Sequence, residues 1–180
     1  LLHAHGVDPS PQLFVQCRVV VEAQAFAEEP DLVLGYEEVL ALLLDQDPVS
    51  VVAEVARSGM GQAVEDSAMS VWTMPSGAMV MTHESFTHPF AGSGLEVHGT
   101  TGSIFARGVM TQHPLGEISL MTAAGTEVVP YPDHDLYAHG VAGFCAAVAG
   151  NGVPAATGRD GVKSLAVAMA MQRTVSLAVR

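Results

Sequence analysis

The sequence predicts an α+β fold: an open, mostly antiparallel sheet of about six to eight strands with three helices packed on one face. Three observations predict it. Residues 92–105 alternate apolar and polar side chains on either side of a tight glycine turn, the pattern of a half-buried hairpin. Residues 64–87 repeat the pattern around a Pro-Ser-Gly turn. Residues 135–149 and 157–175 are apolar at helical spacing, which predicts two helices after the last strand.

Composition favours a single domain. A chain of 180 residues is long enough to bury a core. Apolar residues make up 49% of it, a high share for a soluble protein, but no apolar run approaches the roughly 18 residues of a membrane span. This apolar surplus predicts a broad sheet face that is covered by helices or by another subunit.

The charge balance limits the partners. The net charge is −12 with seven basic residues, which argues against nucleic acid and against anionic membranes, because both are bound through Lys and Arg. Cys17 and Cys145 are too few for a disulfide framework, so a reducing, cytoplasmic location is expected. No signal peptide is visible. The chain begins Leu1-Leu2 without Met, and we therefore expect an N-terminal segment to be missing from it.

The N-terminal part gives the weakest signals. Residues 1–13 contain Gly6 and two prolines and are typical of a loop. His3 and His5 alternate as metal ligands on a strand do, but a mobile end is favoured because no third ligand lies nearby. Residues 14–25 are rich in Val and predict a strand. We treat residues 1–30 as an N-terminal loop and strand, and residues 31–180 as the α+β domain.

The first predicted helix covers residues 31–45, where apolar side chains recur at helical spacing and Glu37 and Glu38 suit its first turn. A strand follows at residues 49–57. The turn at residues 59–61 matches the first half of a dinucleotide fingerprint, but Val64 stands where the third glycine is required. We therefore interpret this turn as a plain loop.

The strand at residues 78–87 carries the best polar candidates in the chain. Its alternation places His83 on one face with Met79, Met81, Ser85 and Thr87, and Glu84 and Phe86 on the other face with Val80 and Thr82. The methionine stripe is typical of a core or a subunit interface.

His83 and His88 are candidates to bind a sugar-like hydroxyl or to act as acid and base. The alternative is that each histidine is satisfied by its neighbours on the sheet. A zinc site is disfavoured, because the further ligands would be His98 and His113 on other strands.

The remaining elements follow in order. Residues 107–116 predict a loop, residues 117–122 and 126–129 predict strands, and Pro130 and Pro132 end the sheet. One helix starts at residue 135 and ends at Gly150-Asn151-Gly152. The last helix is capped at residues 157–160 and has five side chains at helical spacing, namely Leu165, Ala168, Met169, Gln172 and Val175.

Five blocks occur in the order found in one family. The block LEVHGTTGSI (95–104) resembles the E-x-x-G-T-x-G-S hairpin in the C-terminal domain of the Gfo/Idh/MocA oxidoreductases. Residues 47–53, 64–69, 76–77 and 156–162 fall in the same order as the family's other blocks. Within the family, SGMGQAVED (58–66), THESFTHPF (82–90) and VMTQHPLG (109–116) are most similar to 1,5-anhydro-D-fructose reductases.

The resemblance implies an NAD(P)-dependent sugar or polyol oxidoreductase fold with sheet-to-sheet dimers. The family's D-x-x-x-H segment places Asp31 at the Asp position, but Gly35 stands where the catalytic His is expected. Tyr36 is the neighbouring side chain with a proton to donate, although it is a poor base at its ordinary pKa. We take Tyr36, His83 and His88 as catalytic candidates, and assign substrate binding to three further residues, Asp31, Phe86 and Tyr137.

The motifs that hold and use a nicotinamide are missing from these residues. No G-x-G-x-x-G follows a strand, the family's Glu-Lys-Pro is absent, and the one lysine, Lys163, lies inside the final helix. We expect a substrate-binding and oligomerisation domain of a sugar or polyol oxidoreductase. It would be a homodimer or a higher oligomer through the open sheet face, and it would bind no cofactor by itself and use NAD(P) when a Rossmann half is supplied. The alternative is a free-standing, Rossmann-less descendant, either a cyclase, isomerase or lyase on a small polar or natural-product substrate, or a structural partner of a full enzyme.

Overall fold

A computed structural model describes residues 14–20, 46–57, 65–88, 90–109, 115–131 and 135–174. They form eight strands and two helices: β1 (Phe14–Val20), β2 (Ser50–Ala56), β3 (Ser67–Thr73), β4 (Met79–Ser85), β5 (Gly94–His98), β6 (Gly102–Arg107), β7 (Glu117–Thr122), β8 (Gly125–Val128), α1 (Leu136–Val148) and α2 (Gly158–Thr174). The predictions made for residues 1–13, 31–45 and 58–61 lie outside the described residues.

All eight strands belong to one sheet, with the order β2-β3-β4-β1-β5-β6-β7-β8. β1 runs parallel to β4 and antiparallel to β5, and the other described pairs are antiparallel. The predicted α+β class with an open, mostly antiparallel sheet is confirmed. The sequence pattern did not predict that β1 would be a central strand joining two antiparallel halves.

The two predicted hairpins are confirmed, with strands slightly shorter than expected. The β3–β4 turn is closed by a 2.9 Å bond from the Met74 N–H to the Ala78 carbonyl. Gly77 in that turn has a φ of 85°, a conformation that side chains other than glycine rarely adopt. In the β5–β6 hairpin, the Gly99 N–H donates to the Gly102 carbonyl at 2.9 Å.

The core lies on one face of the sheet, here called the covered face. Trp72 and Val80 are directly opposite each other on β3 and β4, and each is at most 3% exposed. A second row crosses β5, β6 and β7 through Val97, Ile104 and Leu120. Fully burying side chains of this kind stabilises a fold by about 1.5–3 kcal/mol each.

α2 covers part of this face by packing on β2, and Val167 joins the core cluster. The predicted cap is confirmed: the Thr157 N–H donates to Asp160 Oδ2 at 2.8 Å, and the Asp160 N–H donates to Thr157 Oγ1 at 3.3 Å. Three described apolar residues of the sequence pattern, Leu165, Ala168 and Met169, are exposed, and Leu165 is 56% exposed. The side chains buried toward the sheet are Ser164 and Val167.

α1 starts where the sequence predicts a helix, and the Asp135 carboxylate caps it by accepting a 2.9 Å bond from the Ala138 N–H. The helix ends before Gly150, whose φ is 79°. Four large apolar side chains follow one side of the helix and are exposed, namely Tyr137, Val141, Phe144 and Val148. Among the described residues, neither helix is long and apolar enough to cross a membrane.

The opposite face of the sheet, here called the open face, carries exposed apolar side chains on its first three strands in spatial order. Val52, Met69, Val71 and Met79 are each between 47% and 64% exposed. The cross-strand register places Val52 opposite Val71 on the same face. The expected Met- and Val-rich face is therefore present, and its pairing with a second subunit stays a prediction.

Candidate functional site

The C-terminal end of β4 and the residues after it bring together three of the predicted site residues. His83 is on β4, Phe86 follows the strand, and His88 lies two residues further on. The Phe86 N–H donates to the Asp66 carbonyl at 3.0 Å, which ties this segment to the start of β3. We call residues 83–88 the β4 end.

The other three predicted site residues are not part of this group. Tyr137 lies on α1 and is 59% exposed. Asp31 and Tyr36 lie outside the described residues, so their assignments stay predictions.

On the open side of the β4 end, the two histidines lie close together. Their ring centroids are 6.0 Å apart in an edge-on arrangement. Ser85 Oγ is hydrogen-bonded to His88 Nδ1, and Thr87 Oγ1 lies 3.4 Å from the same nitrogen. The Thr87 N–H donates to Ser85 Oγ at 3.2 Å. Two hydroxyl groups therefore hold one edge of the His88 ring, and Nε2 is the ring nitrogen that remains for a ligand.

This Ser–His pair is unsuited to nucleophilic catalysis. Ser85 is 1% exposed, so its hydroxyl has no access to an outside substrate, whereas an attacking serine must reach the substrate. The exposed His88 ring is instead suited to hydrogen-bonding or proton exchange with a hydroxyl group. A metal role gains no support in the described ranges, where no group of three or more His, Cys, Asp or Glu side chains is placed to hold an ion.

On the covered side, a chain of hydroxyl groups leads across β3 and β4 to a carboxyl group. Trp72 Nε1 donates to Ser70 Oγ at 2.6 Å, and Ser70 Oγ lies 2.7 Å from Thr82 Oγ1. Thr82 is in turn hydrogen-bonded to the Glu84 side chain. Ser70 and Thr82 are directly opposite each other in the sheet and nearly inaccessible. We call Trp72, Ser70, Thr82 and Glu84 the hydroxyl chain.

Glu84 ends this chain in an environment that disfavours a negative charge. Burial raises the pKa of its carboxyl, and hydrogen bonds from Thr82 and from the Glu84 backbone only partly oppose the rise. Glu84 Oε2 is buried without a hydrogen-bond partner in the described part of the chain. Asp66, also buried, lies at the same end of the sheet. A carboxyl group of this kind can donate a hydrogen bond when protonated and accept one when ionised.

Glu84 is a candidate that the sequence reasoning missed. The alternation along β4 already placed it on the face shared by Val80 and Thr82, which is the buried face. Acidic residues are seldom buried without a partner or a function. The sequence therefore contained a signal for Glu84: an acidic residue that alternates onto the same face as buried neighbours.

Comparisons with known proteins agree with the fold. Residues 37–105 match the GFO/IDH/MocA C-terminal domain. Over 147 residues, 81% of this chain, the sequence is 40% identical to a 1,5-anhydro-D-fructose reductase of Ensifer adhaerens. The matched region is 44% of that relative, so the chain spans less than half the length of the protein it resembles.

Two solved structures share the fold at low sequence identity. The UDP-N-acetylglucosamine 3-dehydrogenase GnnA from Acidithiobacillus ferrooxidans superposes with a TM-score of 0.79 at 16% identity, covering 97% of this chain and 56% of that one. An aldose-aldose oxidoreductase from Caulobacter crescentus, complexed with glycerol, gives a TM-score of 0.75 at 16% identity, covering 97% and 56%.

Proposed function

Because residues 37–105 are a C-terminal domain of the Gfo/Idh/MocA oxidoreductase family, we propose that this chain is the substrate-binding and oligomerisation part of an NAD(P)-dependent sugar or polyol oxidoreductase. The observation that carries the proposal is the 40% identity to a 1,5-anhydro-D-fructose reductase over 81% of the chain. Likeness at this level supports shared chemistry more strongly than a shared fold does.

The β4 end supplies groups suited to a polyhydroxylated substrate. Each sugar hydroxyl both donates and accepts hydrogen bonds. The His88 ring, already held at Nδ1 by Ser85 and Thr87, offers its other nitrogen. We assign binding or proton transfer with a substrate hydroxyl to His83 and His88, and a supporting role on the covered side to Glu84.

The described residues do not fit a nicotinamide cofactor. A dinucleotide pyrophosphate binds at the free N–H groups of a helix N-terminus. In α2 the Asp160 carboxylate already accepts from the Thr157 N–H at 2.8 Å, and in α1 the Asp135 carboxylate accepts from the Ala138 N–H. Both helix starts therefore carry a negative charge that repels phosphate. Lys163 is engaged in a 2.8 Å ion pair with Asp47. We infer that the nucleotide is held by a separate domain.

A chimera tests the proposal directly. This chain would replace the matching C-terminal part of the Ensifer adhaerens reductase, and NADPH- and NADH-dependent reduction of 1,5-anhydro-D-fructose would be followed by absorbance. We expect measurable turnover that His88→Ala lowers by about tenfold or more. A folded chimera that binds the nucleotide but shows no turnover contradicts the proposal. In calorimetry of the isolated chain, we expect no NADPH binding at micromolar concentration, and such binding contradicts the separate-domain inference.

Gly35 favours a second candidate function. The family's catalytic His position is occupied by glycine, which has no side chain to move a proton, so a non-redox descendant acting on a small polar substrate is the alternative. The variant Gly35→His in the same chimera separates the two. If only the Gly35→His chimera turns over substrate, this chain has lost the redox activity. If the unmodified chimera turns over substrate, the oxidoreductase role is supported.

A further inference from the structure

A cavity lies at the adjoining ends of β5 and β6. It adjoins the β4 end, because the Ala91 N–H donates to the His88 carbonyl at 3.0 Å, but neither histidine side chain lines it. Its volume is about 300 Å³, and its lining consists of Ala91, Gly92, Ser93, Gly94, Glu96, Ala106, Arg107 and Gly108. Gly94 is directly opposite Arg107 in the β5–β6 register. Because Gly94 has no side chain, a gap is left beside Arg107 in the side-chain layer, and backbone forms its floor.

Gly94 is also required by the close approach of the two strands. A Cβ added at this position would lie 2.9 Å from the carbonyl oxygen of Ala106, which is closer than real contacts allow. The loop before β5 is fixed by two further bonds: Ser93 Oγ donates to the Val109 carbonyl, and the Gly108 N–H donates to the Ser93 carbonyl at 2.9 Å. The cavity is therefore formed by ordered backbone.

Two side chains of opposite charge share this cavity. Glu96 and Arg107 lie on the same face of the sheet, diagonally across neighbouring strands, because Arg107 pairs with Gly94, two residues before Glu96. Glu96 Oε2 is 3.4 Å from His98 Nε2, which leaves its other oxygen as an acceptor. Arg107 is exposed and forms no ion pair with any other described residue, although Glu117 lies across from it on β7.

We propose that this cavity binds a small neutral polyol. A guanidinium group supplies hydrogen-bond donors in a fixed plane and a carboxylate supplies acceptors, and a pair of neighbouring hydroxyls satisfies both at once. The opposite charges of Glu96 and Arg107 nearly cancel, so an anionic ligand meets repulsion from Glu96 and a cationic ligand meets repulsion from Arg107. The volume is at the lower end of the range for small-molecule sites, which suits a ligand the size of one sugar ring.

The inference does not depend on the proposed oxidoreductase role, because it needs neither a nucleotide nor the histidines of the β4 end. The test uses the isolated chain with myo-inositol and D-glucitol as neutral probes and D-gluconate as the anionic probe. Binding is followed by the backbone amide signals of Gly92, Gly94 and Gly108 in two-dimensional NMR spectra.

We expect saturable shifts of these glycine signals with the neutral polyols at millimolar concentration, and dissociation constants about tenfold or more higher in both Glu96→Gln and Arg107→Gln. The control is Arg57→Gln, which removes another exposed arginine, one that faces Glu65 at 4.0 Å, and should leave binding unchanged. Far-UV circular dichroism verifies that each variant is folded.

Three outcomes overturn the proposal: no saturable shift in the wild type, shifts outside these glycines, or tighter binding of gluconate than of the neutral polyols. Equal binding by the wild type and both cavity variants also overturns it. Should a variant fail to fold, the map of wild-type shifts decides, because it reports the binding position without any substitution.

Discussion

The two faces of β4 give the clearest comparison in the molecule. Successive residues of the same seven-residue strand have opposite surroundings: Val80 and Thr82 are at most 1% exposed, whereas Met79 is 49% exposed. On the covered face the hydroxyl chain links the buried polar groups to one another, and Glu84 Oε2 at its end is left without a partner in the described part of the chain. The open face exposes Met79, and His83 is half-buried there with its Nε2 inaccessible. The difference teaches that one strand can anchor the core and still present groups for a partner, because its side chains alternate.

The largest expected effect comes from introducing a charge on the covered side of this strand, compared with a charge on the open side. Val80→Asp buries a carboxylate without a partner, which costs about 4 kcal/mol or more and should leave most molecules unfolded. Met79→Asp should cost the monomer less than about 1 kcal/mol, since the new charge there reaches water. Urea denaturation followed by circular dichroism measures both. Similar losses of unfolding free energy in the two variants would contradict the difference between the two faces.

The next effect concerns self-association through the open face. We expect the wild type to sediment as a dimer and Val71→Asp as a folded monomer, because the new charge lies in the middle of the proposed contact and would be desolvated. Val141→Asp is the matched control, since that exposed valine lies on α1. Sedimentation velocity decides. A monomeric wild type, or a dimer that survives Val71→Asp, contradicts the proposed use of this face.

Interrupting the hydroxyl chain should have a moderate effect. Thr82→Val keeps the shape of the side chain but removes the hydroxyl between Ser70 and Glu84, so buried polar atoms lose a partner at a cost of about 2 kcal/mol. Thr126→Val on the exposed edge strand β8 is the control and should change stability by less than about 0.5 kcal/mol. If urea denaturation gives equal losses of unfolding free energy for the two variants, the hydroxyl chain does not contribute to stability as proposed.

The smallest and most specific effect is the pH dependence caused by Glu84. Its pKa is raised in the folded state above the ordinary value of 4.5, so the unfolded chain releases this proton first as pH rises. The stabilisation is complete below pH 4.5 and is lost as pH increases through the folded-state pKa, with a slope of at most about 1.4 kcal/mol per pH unit.

In Glu84→Gln the side chain is neutral at every pH, so this variant should not lose stability as pH rises through the pKa of Glu84. The measurement is the difference in unfolding free energy between wild type and variant at several pH values above 4.5, which cancels the contributions of other groups. The difference should grow in favour of Gln as pH rises. A constant difference would contradict a raised pKa at Glu84.

Local sequence patterns predicted most of the sheet, because side-chain alternation and turn residues are local properties. They identified both hairpins, the starts of both described helices and the two faces of β4. They did not predict the neighbours of β1, since pairing between distant strands leaves no local signal. The hydroxyl chain was missed for the same reason: it requires Ser70 and Thr82 in register on different strands. The side of α2 that contacts the sheet was also missed, because small residues pack there while Leu165 faces outward.

The sequence predicted only those site residues that lie on or directly after one strand, β4. His83 and His88 are near in sequence, and the structure brings them together. The β5–β6 cavity depends on the absence of a side chain at Gly94 opposite Arg107, which no single stretch of sequence reveals.

The central position of β1 has a consequence for how the chain folds during synthesis. Phe14 pairs with Met79, 65 positions later, so the first strand leaves the ribosome long before either neighbour exists. The units β2–β4 and β5–β8 contain only short-range pairings and can assemble early. β1 then pairs with β4 and β5 as the final step and joins the two units into one sheet. Any truncated chain that starts after Val20 would leave β4 and β5 each with one unpaired edge and would be prone to aggregate.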